Sequence, residues 1–226
     1  MKRGILVLFS FILFISLCAQ EGNLTPTYSE GAKKGQGNFR AGIRLGFTGS
    51  IITGDGFPFQ GYNKFGGYAG VFANFPISKN GKWLIQPELN FIMKGCKHSL
   101  RFDESGNIVG STESYRLELM YGQIPVLAKW RFYKGLEFEF GPAFSVLFKN
   151  TDIEEVNGEP NVGAPPFRRF EFSGILGIGY LFFNHLGVNI RYETSLLPVR
   201  KYRASDWDLL RGQYNQTFAF SVYYQF

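Results

Sequence analysis

Cysteine is nearly absent from this chain, with 2 in 226 residues. That excludes a disulfide framework and a cysteine-based zinc site. Histidine is as scarce, at 2, and no carboxylate run has the spacing of a calcium loop. No metal and no cofactor is expected. Long apolar runs are missing except at the N-terminus, whereas a helical membrane protein needs several of about 18 residues or more. Charge of one sign is not concentrated either. The net charge of +6 is mild and interleaved, which argues against nucleic acid as a partner.

Aromatic side chains are abundant, at 18% with 25 Phe, and 45% of residues are hydrophobic. A chain so rich in surface to bury is not disordered. The 28 Gly follow no G-X-Y period, so they are not collagenous. The length suits one domain.

Residues 1–19 read as a secretory signal peptide: Met1, Lys2 and Arg3 supply the positive start, and Gly4 to Ala19 is apolar apart from Ser10 and Ser16. Cleavage is expected after Ala19. The alternative is an uncleaved anchor helix. A lipoprotein reading at Cys18 is set aside because bulky Leu17 precedes it. Loss of Lys2 and Arg3 lowers the net charge from +6 to +4 and leaves Cys96 as the one cysteine, so no intramolecular disulfide is available. Residues 20–37, polar with Gly, Pro and Ser, read as a flexible periplasmic leader.

From residue 38 to 226 the period is two. Ile43, Leu45 and Phe47 alternate with Gly42, Arg44 and Gly46. Trp83, Ile85, Leu89 and Phe91 alternate with Gln86, Glu88 and Asn90. Phe138, Phe140 and Phe144 alternate with Glu137, Glu139 and Ser145. Val188 and Ile190 alternate with Asn189 and Arg191. Phe218, Phe220, Val222, Tyr224 and Phe226 end the chain on one parity. Less regular stretches at 65–75, 116–132 and 170–183 bring the strands to eight. In the second, apolar parity changes near Gly122, which predicts a β-bulge there. Connections near 76–82, 133–135 and 183–185 are short. Those near 53–64, 95–115, 150–169 and 197–212 are long, and the second is expected to hold its own hairpin turning at Asp103–Asn107.

The apolar face is bulky and dominated by Phe, while the opposite face mixes glycine with full charges. That is the pattern of a barrel wall in lipid with a narrow, polar inside. Hydrocarbon tolerates no unpaired backbone, so the sheet must close. The expected fold is all-β: an eight-stranded antiparallel transmembrane β-barrel with short periplasmic turns and long extracellular loops. Three inferred registers support it. Arg131 faces Glu137 and Lys129 faces Glu139; Phe75 opposite Trp83 sets Gly70 against Glu88; Phe182 opposite Leu186 sets Gly177 against Arg191. Trp83, Trp130, Phe132, Tyr133, Phe182, Phe183, Tyr224 and Phe226 should cluster at the short-turn end as an aromatic girdle.

The stretch Leu84-Ile-Gln-Pro-Glu-Leu-Asn-Phe91 with Met93-Lys94-Gly95 resembles a strand of the PorT-like outer-membrane β-barrel family of Bacteroidetes-type bacteria. Gln123-Ile-Pro-Val-Leu-Ala-Lys129 resembles that family's "x-I-P-(V/L)-L-x-K" strand, and Phe39-Arg-Ala-Gly-Ile-Arg-Leu-Gly46 its first strand. The alternating C-terminus Phe218, Phe220, Val222, Tyr224, Phe226 is similar to the signal read by the barrel assembly machinery. The resemblance implies an integral location in the outer membrane, in contact with its lipid. Some relatives take part in secretion, so an envelope or secretion complex is a candidate partner, whereas fold alone does not assign an activity.

Candidate chemistry is thin. His98 and Ser99 could suggest a lipid-A-modifying enzyme, but consecutive residues of an extended chain point to opposite faces and cannot form a dyad. Asp152, Glu154, Glu155 and Glu159 read as a solvated acidic loop. Arg200, Lys201, Arg203, Trp207 and Arg211 could touch lipopolysaccharide phosphates or be a solvated rim. The inward charges expected are Arg44, Glu88, Lys94, Glu118, Lys129, Arg131, Glu137, Glu139, Arg191 and Glu193. They read as a paired network filling the interior, since eight strands enclose only enough room for side chains. A solute conduit is the alternative. The function expected is non-catalytic: a structural or surface-interaction barrel, or an accessory to an envelope complex. A small-solute channel is the second reading and a lipid-modifying enzyme the third.

Overall fold

The structure, a computed structural model, describes residues 39–54, 62–78, 80–102, 108–133, 135–156, 159–160, 166–182, 185–201 and 212–226, without the side chains of 98–102, 108–115, 152–156, 159–160 and 201. The proposed signal peptide and leader lie outside the described residues, as do Phe183 and the turn at 103–107.

Alternating sequence gives eight long strands: β1 (Arg40–Thr53), β2 (Lys64–Pro76), β3 (Trp83–Phe102), β4 (Ile108–Tyr133), β5 (Leu136–Val156), β6 (Phe170–Phe182), β7 (Leu186–Ser195) and β8 (Gly212–Gln225). Each pairs antiparallel with the next, and β8 pairs with β1 from Gly42↔Gln225 to Thr53↔Tyr214. The sheet is a closed barrel, so no strand edge faces hydrocarbon along the paired wall. Two-residue strands at Glu159–Pro160 and Arg200–Lys201 add short pairings to β5 and β8. Following the registers once around gives a stagger of about ten residues, which for eight strands corresponds to a tilt of about 40°.

The long connection at 95–115, expected to hold its own hairpin, has paired arms that continue β3 and β4 without a break, from Trp83↔Trp130 to beyond Ser99↔Ser114. β2 pairs with β3 only from Tyr68↔Ile92 downward. β3, β4 and β5 therefore rise together past that level.

Two inferred registers match the structure: Arg131↔Glu137 with Lys129↔Glu139, and Phe182↔Leu186 with Gly177↔Arg191. The third is two residues out, for Phe75 pairs with Ile85 and Gly70 with Asn90. The cause lies in the turn. Ser78 Oγ accepts from Trp83 N at 2.9 Å, Asn80 Oδ1 accepts from Lys82 N at 3.1 Å, and Gly81 takes φ 65°. These local bonds centre the turn on Asn80.

The bulge expected in β4 at Gly122 belongs to β5 instead. Met120 pairs with Lys149 but Tyr121 with Leu147, so Phe148 is the extra residue. A Cβ on Gly122 would collide with the Phe148 ring, which lies over that glycine on the outer face. β4 keeps one phase: Leu117, Leu119, Tyr121, Gln123, Leu127 and Lys129 are all buried. Leu117, Leu119 and Tyr121 pack inside with Ile52, Ile92 and Cys96. Sequence periodicity equated apolar with outward, and at this level the inside is apolar as well.

The outer wall carries Leu45, Phe47, Phe91, Ile124, Val126, Phe140, Phe144, Leu176, Ile178, Ile190 and Val222, all exposed. At the short-turn end Trp83 stacks on Trp130 at 5.7 Å, Trp130 meets Phe132 at 5.3 Å, and Tyr224 meets Phe226 at 5.6 Å. Rings that are apolar with a polar edge belong at the border between hydrocarbon and water. Val126 sits midway up this wall. Val126→Arg should cost about 2–4 kcal/mol of unfolding free energy in lipid vesicles, measured by urea titration. Lys82→Gln, at the turn, should change it by less than about 0.5 kcal/mol.

Candidate functional site

The inner face is the distinctive site. Alternation turns every second residue of each strand inward, and at mid-height these are charged or amide side chains. Glu88 on β3 is fully buried. Arg191 on β7 grips it with two parallel bonds, Nη1 to Oε2 and Nη2 to Oε1, each 2.7 Å. The planar guanidinium matches the carboxylate, which lysine could not do. Arg191 Nε also donates to Glu139 Oε1, and its Nη1 donates to Tyr68 Oη at 2.6 Å. Arg44 Nη2 lies 3.3 Å from Glu88 Oε1, and its guanidinium sits over the rings of Phe72, Tyr223 and Tyr68 at 5.4, 5.8 and 5.9 Å. Asn90 and Gln86 complete the shell around Glu88.

Space for these long side chains comes from glycine. A Cβ at Gly177 would stand 2.7 Å from Glu139 Oε1 and 3.1 Å from Arg191 Cγ. Glycine at that register is what lets Glu139 and Arg191 meet across β6.

Toward the turn end, Lys129 Nζ donates to Glu137 Oε2 at 2.9 Å and lies 3.8 Å from Glu139 Oε2. Arg131 Nε donates to Glu137 Oε1 at 2.7 Å, and Tyr223 Oη to Glu137 Oε2 at 2.8 Å. Toward the other end, Lys94 Nζ donates to Glu171 Oε1 at 2.9 Å and to Glu193 Oε1 at 2.6 Å. Ser173 and Gln123 donate to Glu193 at 2.6 and 2.7 Å, and Asn215 to Glu171 at 2.9 Å. Lys94 Nζ also lies 5.3 Å from the Tyr121 ring. Ile92, one inward position nearer the turns than Lys94, and Tyr68, which accepts from Arg191, share one apolar cluster with Leu117, Leu119, Cys96 and Ile52, so ion pairs and apolar side chains interleave inside the upper half of the barrel.

Of the ten charges assigned inward from the sequence, Arg44, Glu88, Lys94, Lys129, Glu137, Glu139, Arg191 and Glu193 are buried. Arg131 is at the rim, 27% exposed. Glu118 is not among them. With β4 in one phase, it takes the opposite parity to buried Leu117 and Leu119 and pairs with Lys64 at 2.6 Å and Arg116 at 2.7 Å. Glu171 belongs to the interior and was missed. Its signal was present: it stands between outward Phe170 and Phe172. The C-terminal residues Phe218, Phe220, Val222, Tyr224 and Phe226 share the outward parity, and all but Phe218 are exposed.

Most other candidates lie beyond what the structure describes. His98 and Ser99 occupy consecutive positions of β3, and their side chains lie outside the described residues, as do those of Asp152, Glu154, Glu155, Glu159 and Lys201. Arg203, Trp207 and Arg211 lie outside them entirely. Arg200 is buried rather than on a solvated rim, with its guanidinium 4.5 Å over the Phe167 ring. His185 is held in its turn by Gln225 O at 3.0 Å and stacks on Tyr224.

Arg191→Met should destabilise the barrel by about 3–5 kcal/mol, because Glu88 and Glu139 are left as buried charges without their shared partner. Unfolding in lipid vesicles measures it. Gly177→Val should be destabilising in the same assay, through steric separation of the same pair.

A model of the family described as "Outer membrane protein beta-barrel domain" matches residues 19–200. No curated protein matches the chain. Among solved structures, the attachment invasion locus protein Ail of Yersinia pestis is 13% identical, with 84% of this chain and 100% of that chain covered and a TM-score of 0.45. Neisserial surface protein A is 8% identical, with 83% and 97% covered and a TM-score of 0.46. Likenesses of this strength carry no functional argument. The family model spans most of the sequence and agrees with the closed, Phe-walled barrel: the chain belongs to the outer membrane protein beta-barrel domain family.

Proposed function

We propose that this outer-membrane barrel is non-catalytic and non-conducting, acting through its surfaces as an interaction protein or as an accessory to an envelope complex. The observation that carries this reading is the occupied interior. Five carboxylates, Glu88, Glu137, Glu139, Glu171 and Glu193, are met by Arg44, Lys94, Lys129 and Arg191, with Arg131 at the rim. Eight strands leave room for side chains and little else. A paired network of this kind holds its shape because each charge that moves leaves another unpartnered in a low dielectric. The buried apolar side chains of Leu117, Leu119 and Ile52 add a second barrier to ions.

The reading extends to orientation. The aromatic girdle and both ends of the barrel domain lie at the end with the short turns, which is the periplasmic end of bacterial barrels. The tall β3–β5 sheet then stands outside the cell. Kinship with the PorT-like members rests on the strand motifs Leu84–Phe91 and Gln123–Lys129, and it favours an envelope-complex role over a purely structural one. Insertion by the barrel assembly machinery fits the exposed C-terminal series ending in Phe226.

Purified protein in planar bilayers should give no steady single-channel current; regular current steps would show an open path and replace this reading with the solute channel. Protease added to intact cells should cut within 150–169 or 197–212 and spare 133–135. Cleavage at 133–135 would reverse the orientation.

A further inference from the structure

We infer that the outer face of the β3–β4–β5 sheet, just above the hydrocarbon, is a binding site for the phosphates of a glycolipid in the outer leaflet. The inference rests on the orientation proposed above. The face is made by the residues of outward parity beyond the Phe148 bulge. In register across the three strands, Met120 pairs with Met93 and Lys149, then Glu118 with Gly95 and Thr151, then Arg116 with Lys97. Lys97, Arg116 and Lys149 are exposed.

Height places this face. Trp130 marks the turn-end girdle. Roughly ten residues of tilted strand separate it from Met120, a rise of about 25 Å, which equals the apolar band of an outer-membrane barrel. Below Met120 the wall is Phe91, Ile124 and Phe148, all exposed and apolar. Above it the wall is cationic. A ligand on this face therefore has acyl chains against the phenylalanines and an anionic head against the bases. A membrane glycolipid has that form; a soluble anion has only half of it.

The charge arrangement asks for an anion. Lys97 and Arg116 are direct cross-strand partners on the same face. Like charges so placed destabilise a sheet. Glu118 compensates in part, since its Oε1 accepts from Arg116 Nε and Nη2 at 3.1 and 2.7 Å and from Lys64 Nζ at 2.6 Å. Among the described residues that carboxylate serves Lys64 and Arg116 and leaves Lys97 and Lys149 in excess. It also engages the Arg116 fork by its Nε–Nη2 edge, and the Arg116 side chain stays 54% exposed. Among the described residues, three exposed cations stand against one carboxylate, itself shared with the buried Lys64, and make a surface complementary to a phosphomonoester. Arg200, one of the loop bases singled out from the sequence, does not supply it, because it is folded against Phe167.

The test uses the mature chain folded in detergent micelles, where orientation in a membrane plays no part, so failure here is separate from failure of the topology. Native mass spectrometry and titration compare lipid A with the same lipid stripped of its phosphates. The phosphorylated lipid should bind at least about tenfold more tightly. The double variant Lys97→Gln/Arg116→Gln should lose that preference, and Glu118→Gln should strengthen it by removing the competing carboxylate. Lys82→Gln, at the opposite end, should leave it unchanged. Heat-modifiable mobility verifies that each variant is folded. Equal affinity for the two lipids, or a preference that survives in the double variant, would overturn the inference. Displacement of lipid A by millimolar inorganic phosphate would overturn it too, by showing a site for free anions.

Discussion

Everything in this molecule depends on the hydrogen bonds between β1 and β8. In hydrocarbon a peptide group without a partner costs several kcal/mol, and an open sheet would present a whole row of them. Once the ends meet, side chains sort themselves by parity alone. One set faces lipid and is free to be large and apolar. The other faces inward, where the charges lie buried and each needs a partner. The closed ladder therefore dictates both the phenylalanine wall and the ion-paired interior.

The interior shows how the pairing is achieved. The bidentate grip of Arg191 on Glu88 ties β7 to β3 across the barrel, and Lys94 ties β3 to both β6 and β7. These links run between strands that are not neighbours in the sheet. Backbone ladders connect each strand only to the next, so the charged side chains are what brace the barrel against flattening. Tyrosines join in at the margins: Tyr68 accepts from Arg191 and Arg44, and Tyr223 donates to Glu137. A network of this kind specifies one geometry, because exchanging any partner strands a charge.

Much of this was legible in the sequence. Strict alternation in 39–47, 83–91, 136–146 and 186–193 fixed the strands and their inward faces, and charge opposite charge or glycine fixed two of three registers. The failures share a physical cause. Parity was read by assuming that apolar residues face lipid. Leu117, Leu119 and Tyr121 break that assumption, since part of the upper interior is apolar, and the error carried Glu118 inward and put the bulge on the wrong strand. Glu171 was overlooked for the complementary reason: Phe170 and Phe172 flank it, but the segment's glycines blurred the alternation. The turn at Asn80 shifted a register by two residues because side-chain bonds from Ser78 and Asn80, invisible to periodicity, chose its centre. Those bonds move partners by an even number, so the faces were still assigned correctly.

The unequal strand lengths shape the mouth. β7 has 10 residues while β4 has 26, and the long strands are adjacent in the sheet. Among the described residues the paired wall is therefore uneven: along β3, β4 and β5 it stands as a parapet above the level where β2 parts from β3. Anything gliding within the leaflet on that side meets the parapet broadside. The height of that parapet is set by nothing more than how far three neighbouring strands keep their pairing going.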